Sequence, residues 1–465
     1  MPRHMIKKAF AVFLICFIAT FCADSTRTKG SVIVPFSMNE LKQRTFHYFW
    51  DLADPEFGQV PDRYPSLTFS SIAATGFGLS TYITGIENGY ITREEGARRT
   101  LMTLQALWNM PQGPEESGVS GYKGFFYHFL TLDKAVRFKQ VELSSIDTGL
   151  LMAGILSAMT YYDGPEGDET SIRNLADSLY RRVEWDWMLN DSMRLSMGWH
   201  PEKGFIASDW RGYNEAMVLL IMAIGSPTHP VPTEVWDTWC STYRWMDFQG
   251  YEQVNFAPLF GHQYSQMFID FRGIQDEYMR SKGIDYFENA RRATLANRAY
   301  CIQNPGGFKG YDANQWGLTA CDGPASKTII QNGKSIRFRD YWARGACAWE
   351  MNDDGTIAPT AAGGSIPFAP EACIPAVEHL WNTYYNELVD TFGFKDAFNL
   401  TYQEDHPEGW FDVDYLGIDQ GPIAIQIQNY ETGLIWNVMK RNPYIREGLR
   451  KAGFSGGWLD QPSKL

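Results

Sequence analysis

Three short segments of this chain set single carboxylates among glycine, serine and aromatic residues. In Asp209-Trp210-Arg211-Gly212-Tyr213-Asn214-Glu215, the last residue opens an apolar run from Ala216 to Ile224. A carboxyl with a desolvated side has a raised pKa and suits a general acid; the plainer reading is a helix-start Glu answering the helix dipole. In Glu142-Leu143-Ser144-Ser145-Ile146-Asp147 a second carboxylate stands at the start of an apolar helix, as a site residue or as an N-cap. Glu142, earlier in the same segment, competes with it for the cleft. The third segment runs from Trp410 to Pro422, where Gly417, Gly421 and Pro422 let the backbone turn and present Asp419 on a loop tip. Asp412 and Asp414 compete for that role. Paired carboxylates are what hydrolysis of a glycosidic bond requires, and aromatic rings offer faces on which sugars stack.

Other segments read as cleft walls, because they mix rings with hydrogen-bonding groups. Leu259 to Tyr264 carries His262, Arg337 to Trp342 carries Tyr341, and the small-residue loop from Ala358 ends in Glu371. With Arg63, Trp410, Asp414 and Tyr415 these make up the candidate substrate contacts. Most of the aromatic residues belong to the core, since large rings dominate burial.

The elements that must hold these groups are helices. Apolar residues recur with a period near 3.6 over 39–52, 68–84, 93–109, 146–162, 171–188, 213–225, 233–246, 263–280, 283–301, 371–389, 421–439 and 443–452. Alternating strand patterns are scarce, and the connecting loops are long, as functional loops tend to be. The runs 146–161 and 213–224 are apolar on nearly all sides, which predicts helices buried among other helices. About twelve helices with buried inner members suit an all-α fold, a single (α/α)6 toroid. No repeat short enough for a solenoid and no shift in composition marks a second domain.

Composition narrows the function. The 465 residues are 44% hydrophobic and 15% aromatic, enough for a large core, and the formal charge of −13 excludes a nucleic-acid partner. P-loop, dinucleotide-turn and His-Glu-x-x-His motifs are missing and the eight histidines are scattered, so neither cofactor nor metal is expected. Arg3, Lys7 and Lys8 precede an apolar run from Ala9 to Phe21, which reads as a secretory signal peptide over 1–22. Cys22 stands where a lipidated cysteine would, although Phe21 departs from the small residue such processing favours. A linker over 23–36 then leads into a catalytic domain over 37–465, expected to be exported to the periplasm or cell surface as a monomer. Cys240, Cys301, Cys321, Cys347 and Cys373 are too few and too scattered for a disulfide framework and are expected as buried thiols, a Cys301–Cys321 bridge being the alternative.

Three stretches, Asp354-Gly355-Thr356-Ile357-Ala358-Pro359-Thr360-Ala361-Ala362, Tyr213-Asn214-Glu215 and Asp414-Tyr415 to Pro422, occur in the order found in the bacterial glucoamylase-like domain. Within that group the chain resembles glycoside hydrolase family 144, from about Leu41 to Met439. The resemblance implies an (α/α)6 barrel that hydrolyses β-1,2-glucan with inversion. It further implies sophorose released from the non-reducing end, with endo action as the alternative. Glu142, Asp147, Glu215 and Asp419 are the acidic positions that match the family's pocket, Glu215 as acid and Asp147 or Asp419 as base. Two rivals remain: a lyase, which would want a basic cleft, and a glycan-binding surface lipoprotein without catalysis.

Overall fold

Gly76 and Gly154 mark one of the closest helix contacts among the described residues. A Cβ on Gly154 would lie 2.0 Å from the carbonyl oxygen of Gly76, so the two backbones touch where any side chain would part them. The computed structural model that shows this describes residues 34–331 and 333–462. The expected signal peptide, with Cys22, and most of the linker lie outside the described residues. From Pro35 onward the chain forms one compact unit.

Helices dominate that unit. In chain order they are α1 (Met38–Leu52), α2 (Ile72–Glu87), α3 (Arg93–Asn109), α4 (Ser145–Tyr161), α5 (Asp168–Arg182), α6 (Met217–Gly225), α7 (Glu234–Cys240) and α8 (Phe260–Phe268). They continue with α9 (Glu277–Lys282), α10 (Tyr286–Gln303), α11 (Pro359–Gly363), α12 (Pro370–Thr383), α13 (Tyr385–Leu388), α14 (Gly417–Thr432), α15 (Leu434–Met439) and α16 (Pro443–Lys451). Helices α2, α4, α6 and α14 are buried on nearly every face, as their unbroken apolar or small-residue runs require. Contacts run α2–α4–α6–α8–α14 and back to α2, a closed cycle of buried helices. Amphipathic helices pack outside it: α5 buries only Ile172, Ala176, Leu179 and Tyr180, spaced along one stripe, against α3 and α4. Local caps fix the starts. In α3, Thr92 and Glu95 form a reciprocal capping box.

Several elements differ from the sequence expectation. The run predicted over 263–280 breaks after Phe268, and that over 421–439 breaks at Gly433, whose φ of +68° is the left-handed conformation of a helix C-terminus. Helix α6 starts at Met217, so Glu215 sits in the turn before it. The long connections are not structureless: they hold eight two-stranded ribbons and one five-stranded antiparallel sheet. Most of these strands are two to four residues long, too short to show alternation in sequence. The five-stranded sheet orders Gly121–Tyr122, Phe125–Tyr127, Leu143–Ser144, Gly198–His200 and Gly204–Phe205. It delivers the chain into α4. The five cysteines among the described residues are free and buried.

Candidate active site

A cavity of about 380 Å³ opens where the five-stranded sheet, the starts of α4 and α14 and the turn before α6 meet. Its lining includes Asp62, Arg63, His128, Asp147, Glu215 and Tyr341, with Phe69, Phe129 and Phe260 supplying ring surface. Two carboxyl groups, Asp147 and Glu215, thus face one space from different helices.

Their surroundings are opposite. Glu215 precedes a helix with no polar residue, and its Oε2 is buried without a hydrogen-bond partner. Burial pushes its carboxyl up to about 7; the backbone bond it accepts opposes this and the charge of Asp147 adds to it. A charged oxygen left unpartnered would cost about 1–3 kcal/mol or more, so the neutral acid is the form this pocket favours. Asp147 lies in the first turn of α4, but the N-cap is Ser144: its Oγ accepts from Asp147 N at 3.2 Å and donates to Asp147 Oδ2 at 2.5 Å. The Asp147 carboxylate, not spent on capping the helix, lines the cavity. Burial raises its pKa, while His128 and the Ser144 hydroxyl work in favour of the charged form.

His128 was not singled out by the sequence. It follows the strand Phe125–Tyr127 and its ring stacks on Phe129 at 3.8 Å. Its Nδ1 meets Glu142 Oε1 at 2.8 Å and its Nε2 stands 3.6 Å from Asp147 Oδ2. Desolvation alone would lower its pKa, but the charge of Asp147 and the bond to Glu142 outweigh it and carry the imidazole up to about 9. The ring is therefore a cation at neutral pH, joined to two carboxylates. Glu142 stands behind it: burial works against its ionisation, yet the bond to His128 and the ring's charge leave its pKa lowered. A lone His in an apolar run carries no sequence mark of this role; only its distance to Glu142 in space reveals it.

Arg63 holds the other end. The pairing of Arg63–Tyr64 with Tyr415–Leu416 brings its guanidinium to an acidic group. Nη1 donates to Asp322 Oδ2 at 2.7 Å, Nε to Asp62 Oδ2 at 3.3 Å, and Asp414 Oδ2 lies 4.0 Å away. Asp414 Oδ1 accepts from Ser66 N at 2.8 Å. Asp322, Asp412 and Asp414 keep carboxylate oxygens within 4.8 Å of one another, a spacing that suits a cation. Arg63 supplies positive charge there directly.

Asp419, in the first turn of α14, lies behind the wall formed by Leu416 and Ile418 and is buried. Its Oδ2, like the Oδ1 of Asp396, is buried without a hydrogen-bond partner. Burial, with the mutual charge of Asp419, Asp322 and Asp412, holds Asp396 well above the usual carboxylate range; burial lifts Asp419 likewise. Neither Asp396 nor Asp62 was marked by sequence.

Of the seven expected substrate contacts, Arg63 and Tyr341 line the cavity, Asp414 stands outside the lining at 4.0 Å from Arg63, and four are turned elsewhere. His262 is inside α8 with its ring against Tyr213 at 4.9 Å, where burial drives its pKa down to about 4 and keeps it neutral. Glu371 is a surface residue of the first turn of α12, paired with Arg291 at 2.6 Å. Trp410 packs on the small cluster of Cys321, Ala358 and Ala397. Tyr415 is buried between Phe392 and Tyr48. Each had aromatic or acidic neighbours in sequence, but helix packing or strand pairing turns it elsewhere.

The family model “Putative glucoamylase” matches residues 207–443. An exo β-1,2-glucooligosaccharide sophorohydrolase (non-reducing end) of Parabacteroides distasonis is 28% identical over 96% of this chain, and the chain spans 62% of that protein's length. An endo-β-1,2-glucanase of Chitinophaga pinensis, solved with sophorotriose and glucose, is 30% identical and superposes with a TM-score of 0.78 over 90% of this chain and 98% of that one. A Bacteroides uniformis protein bearing the family's own description is 33% identical, with a TM-score of 0.78 over 92% of this chain and 100% of that one.

Proposed function

The chain belongs to this glucoamylase family, and from that premise we propose that it is a glycoside hydrolase of β-1,2-glucan and β-1,2-glucooligosaccharides. It releases sophorose from the non-reducing end with inversion. The observation that carries the reading is the pair Glu215 and Asp147: two carboxyls in one cavity, one favoured neutral by burial, the other facing a cationic His128. Glu215 donates its proton to the glycosidic oxygen of the leaving group, and Asp147 takes a proton from the attacking water. Asp419 is absent from the cavity lining and burial lifts its carboxyl to about 8, so Asp147 is the better base. Phe69, Phe129 and Phe260 offer apolar faces to sugar rings, and Arg63 with Asp62 offers donors and acceptors to hydroxyls.

The same residues serve a toroid. The closed cycle α2–α4–α6–α8–α14, with α11 packed on α14, supports an (α/α)6 arrangement over residues 37–465. Basic residues ahead of the apolar run 9–21 support export to the periplasm or cell surface, with Cys22 as the point of cleavage or of lipid attachment.

The test is incubation of the protein from residue 23 onward with linear β-1,2-glucan, following products by chromatography in time. Sophorose alone from the first time point is the expected result. A ladder of mixed oligosaccharides would favour endo action, the activity in the name of the Chitinophaga pinensis relative. Cleavage of other β-glucans with this one untouched would refute the substrate.

A further inference from the structure

Asp322, Asp412 and Asp414 bring carboxylate oxygens within 4.8 Å of one another from two loops far apart in the sequence. Asp322 follows the strand Ala320–Cys321, and Asp412 and Asp414 belong to the turn between the strands Trp410–Phe411 and Tyr415–Leu416. Like charges at this spacing repel, and a cation is what reconciles them. Arg63 does part of this. Its Nη1 meets Asp322 Oδ2 at 2.7 Å but stands 4.0 Å from Asp414 Oδ2, and Asp412 makes no ion pair among the described residues. Arg344 gives its charge to Asp354 and meets Asp322 only at the backbone oxygen, at 3.3 Å.

Two buried oxygens at this place call for a ligand. Asp412 is 6% exposed; its Oδ1 accepts from the N–H of Val413 at 2.7 Å and of Asp414 at 3.1 Å, while Oδ2 is buried without a hydrogen-bond partner. Asp396, 2% exposed and not one of the three, ties both loops together. Its Oδ2 accepts from the N–H of Asp322 at 2.7 Å, and its own N–H donates to the Asp414 carbonyl at 2.9 Å. Its Oδ1 is likewise buried without a partner, and the charges of Asp322 and Asp412 act on it. An orphaned carboxylate oxygen is costly to bury, and a metal ion satisfies several at once. One side of the cluster is open: the intervening Val413 is 63% exposed and the Asp322 side chain 14%. An ion can enter there with water still attached.

We propose that Asp322, Asp412 and Asp414 bind one calcium ion, with the carboxyl of Asp396 at its back. A donor set made only of carboxylate oxygens selects a hard cation. Oxygens drawn from two separate loops set no octahedral frame, which suits calcium, with its six to eight oxygens in loose geometry, over magnesium. The ion pins the loop after Cys321 to the turn 412–414 and shares Asp322 with Arg63, a wall of the catalytic cavity. It is a structural site, and it stands whether or not the chain cleaves glucan.

The protein is stripped with EDTA, dialysed into metal-free buffer and titrated with calcium chloride by calorimetry, beside thermal unfolding in calcium and in EDTA. One calcium per chain is expected, with a Kd of about 10⁻⁴ M or tighter. At about a hundredfold excess over that Kd the unfolding midpoint should rise by about 3 °C. Magnesium should bind about tenfold more weakly. Asp412→Asn keeps the shape and removes one charge, so it should weaken calcium binding by about tenfold or more while unfolding in EDTA no lower than wild type. Asp322→Asn should weaken it likewise, which keeps the test independent of how either variant folds. No heat and no midpoint shift at millimolar calcium overturns the proposal, as does binding that both substitutions leave unchanged, which would put calcium on other surface carboxylates. Magnesium binding as tight as calcium overturns the choice of ion.

Discussion

Replacing Glu215 by Gln should move activity and stability in opposite directions. The substitution keeps shape and volume but removes the proton that the leaving group needs, and general acid catalysis contributes on the order of 10²–10⁴-fold. Stability follows from linkage. Burial raises the carboxyl from 4.5 to about 7 in the folded protein, so the native state holds a proton that the unfolded chain has already released. Below pH 4.5 both states are protonated and the site costs nothing relative to Gln. As pH rises toward 7 the unfolded chain ionises first, and folding stability falls until the native carboxyl ionises as well. Each pKa unit is worth about 1.4 kcal/mol, which puts the loss at up to about 3 kcal/mol above pH 7, less whatever the cavity water screens. Gln avoids that loss. For a domain of this size the gain is about 3 °C in unfolding midpoint at pH 8 and near zero at pH 4.5. Calorimetry at the two pH values, beside reducing-sugar release, measures both. Activity within tenfold of wild type, or a midpoint difference that ignores pH, would refute the assignment of Glu215 as a buried acid.

Three further outcomes are expected. His128→Gln removes the cation that favours ionised Asp147, so the acidic limb of the pH–activity profile should move to higher pH, with activity at neutral pH down about tenfold; an unmoved limb would detach His128 from the base. Gly154→Ala forces a methyl into the carbonyl of Gly76, and overpacking of this kind costs about 1–3 kcal/mol, read as a lowered denaturation midpoint. Glu371→Gln breaks only an exposed ion pair with Arg291, so activity should stay at the wild-type level and stability within about 1 kcal/mol; a large loss of turnover would return Glu371 to the site.

What could be read in the sequence depended on whether the signal was local. Helices α2, α4 and α6 announce themselves because their burial is written in unbroken apolar runs, and Glu215 and Asp147 stand out because each sits at the edge of one. His128 and Asp396 do not, since what makes them matter is a partner far along the chain: Glu142 and Asp147 for the first, Asp322 and Asp419 for the second. The reverse error has the same cause. Trp410 and Tyr415 lie in a segment that does reach the cavity, through Leu416 and Ile418, but a strand sends alternate side chains to opposite faces, so Tyr415 and Leu416 part company in space. His262 fails differently: Phe260 and Tyr264 of the same helix line the cavity, and His262, two residues from each, turns to the other side, against Tyr213.

The link between fold and chemistry runs through solvation. Helices buried on nearly every face make a floor in which no carboxylate is well solvated, and an acid brought to it must lose its charge or gain a partner. The structure shows both responses at once. Glu215, Asp419 and Asp396, each with an orphaned oxygen, favour the proton; Asp322, Asp414 and Asp62 gather round Arg63; Glu142 and Asp147 take His128. A loop or a short ribbon delivers the cation to Asp62, Asp322 and Asp147, whereas Glu215, the group the reaction needs as an acid, has none beside it among the described residues. A conservative exchange in that shell, Arg63→Lys, would keep a charge but lose the fork that reaches Asp62 and Asp322 together, so its effect should fall on substrate affinity and on the pKa values of the acids around it, before it falls on the fold.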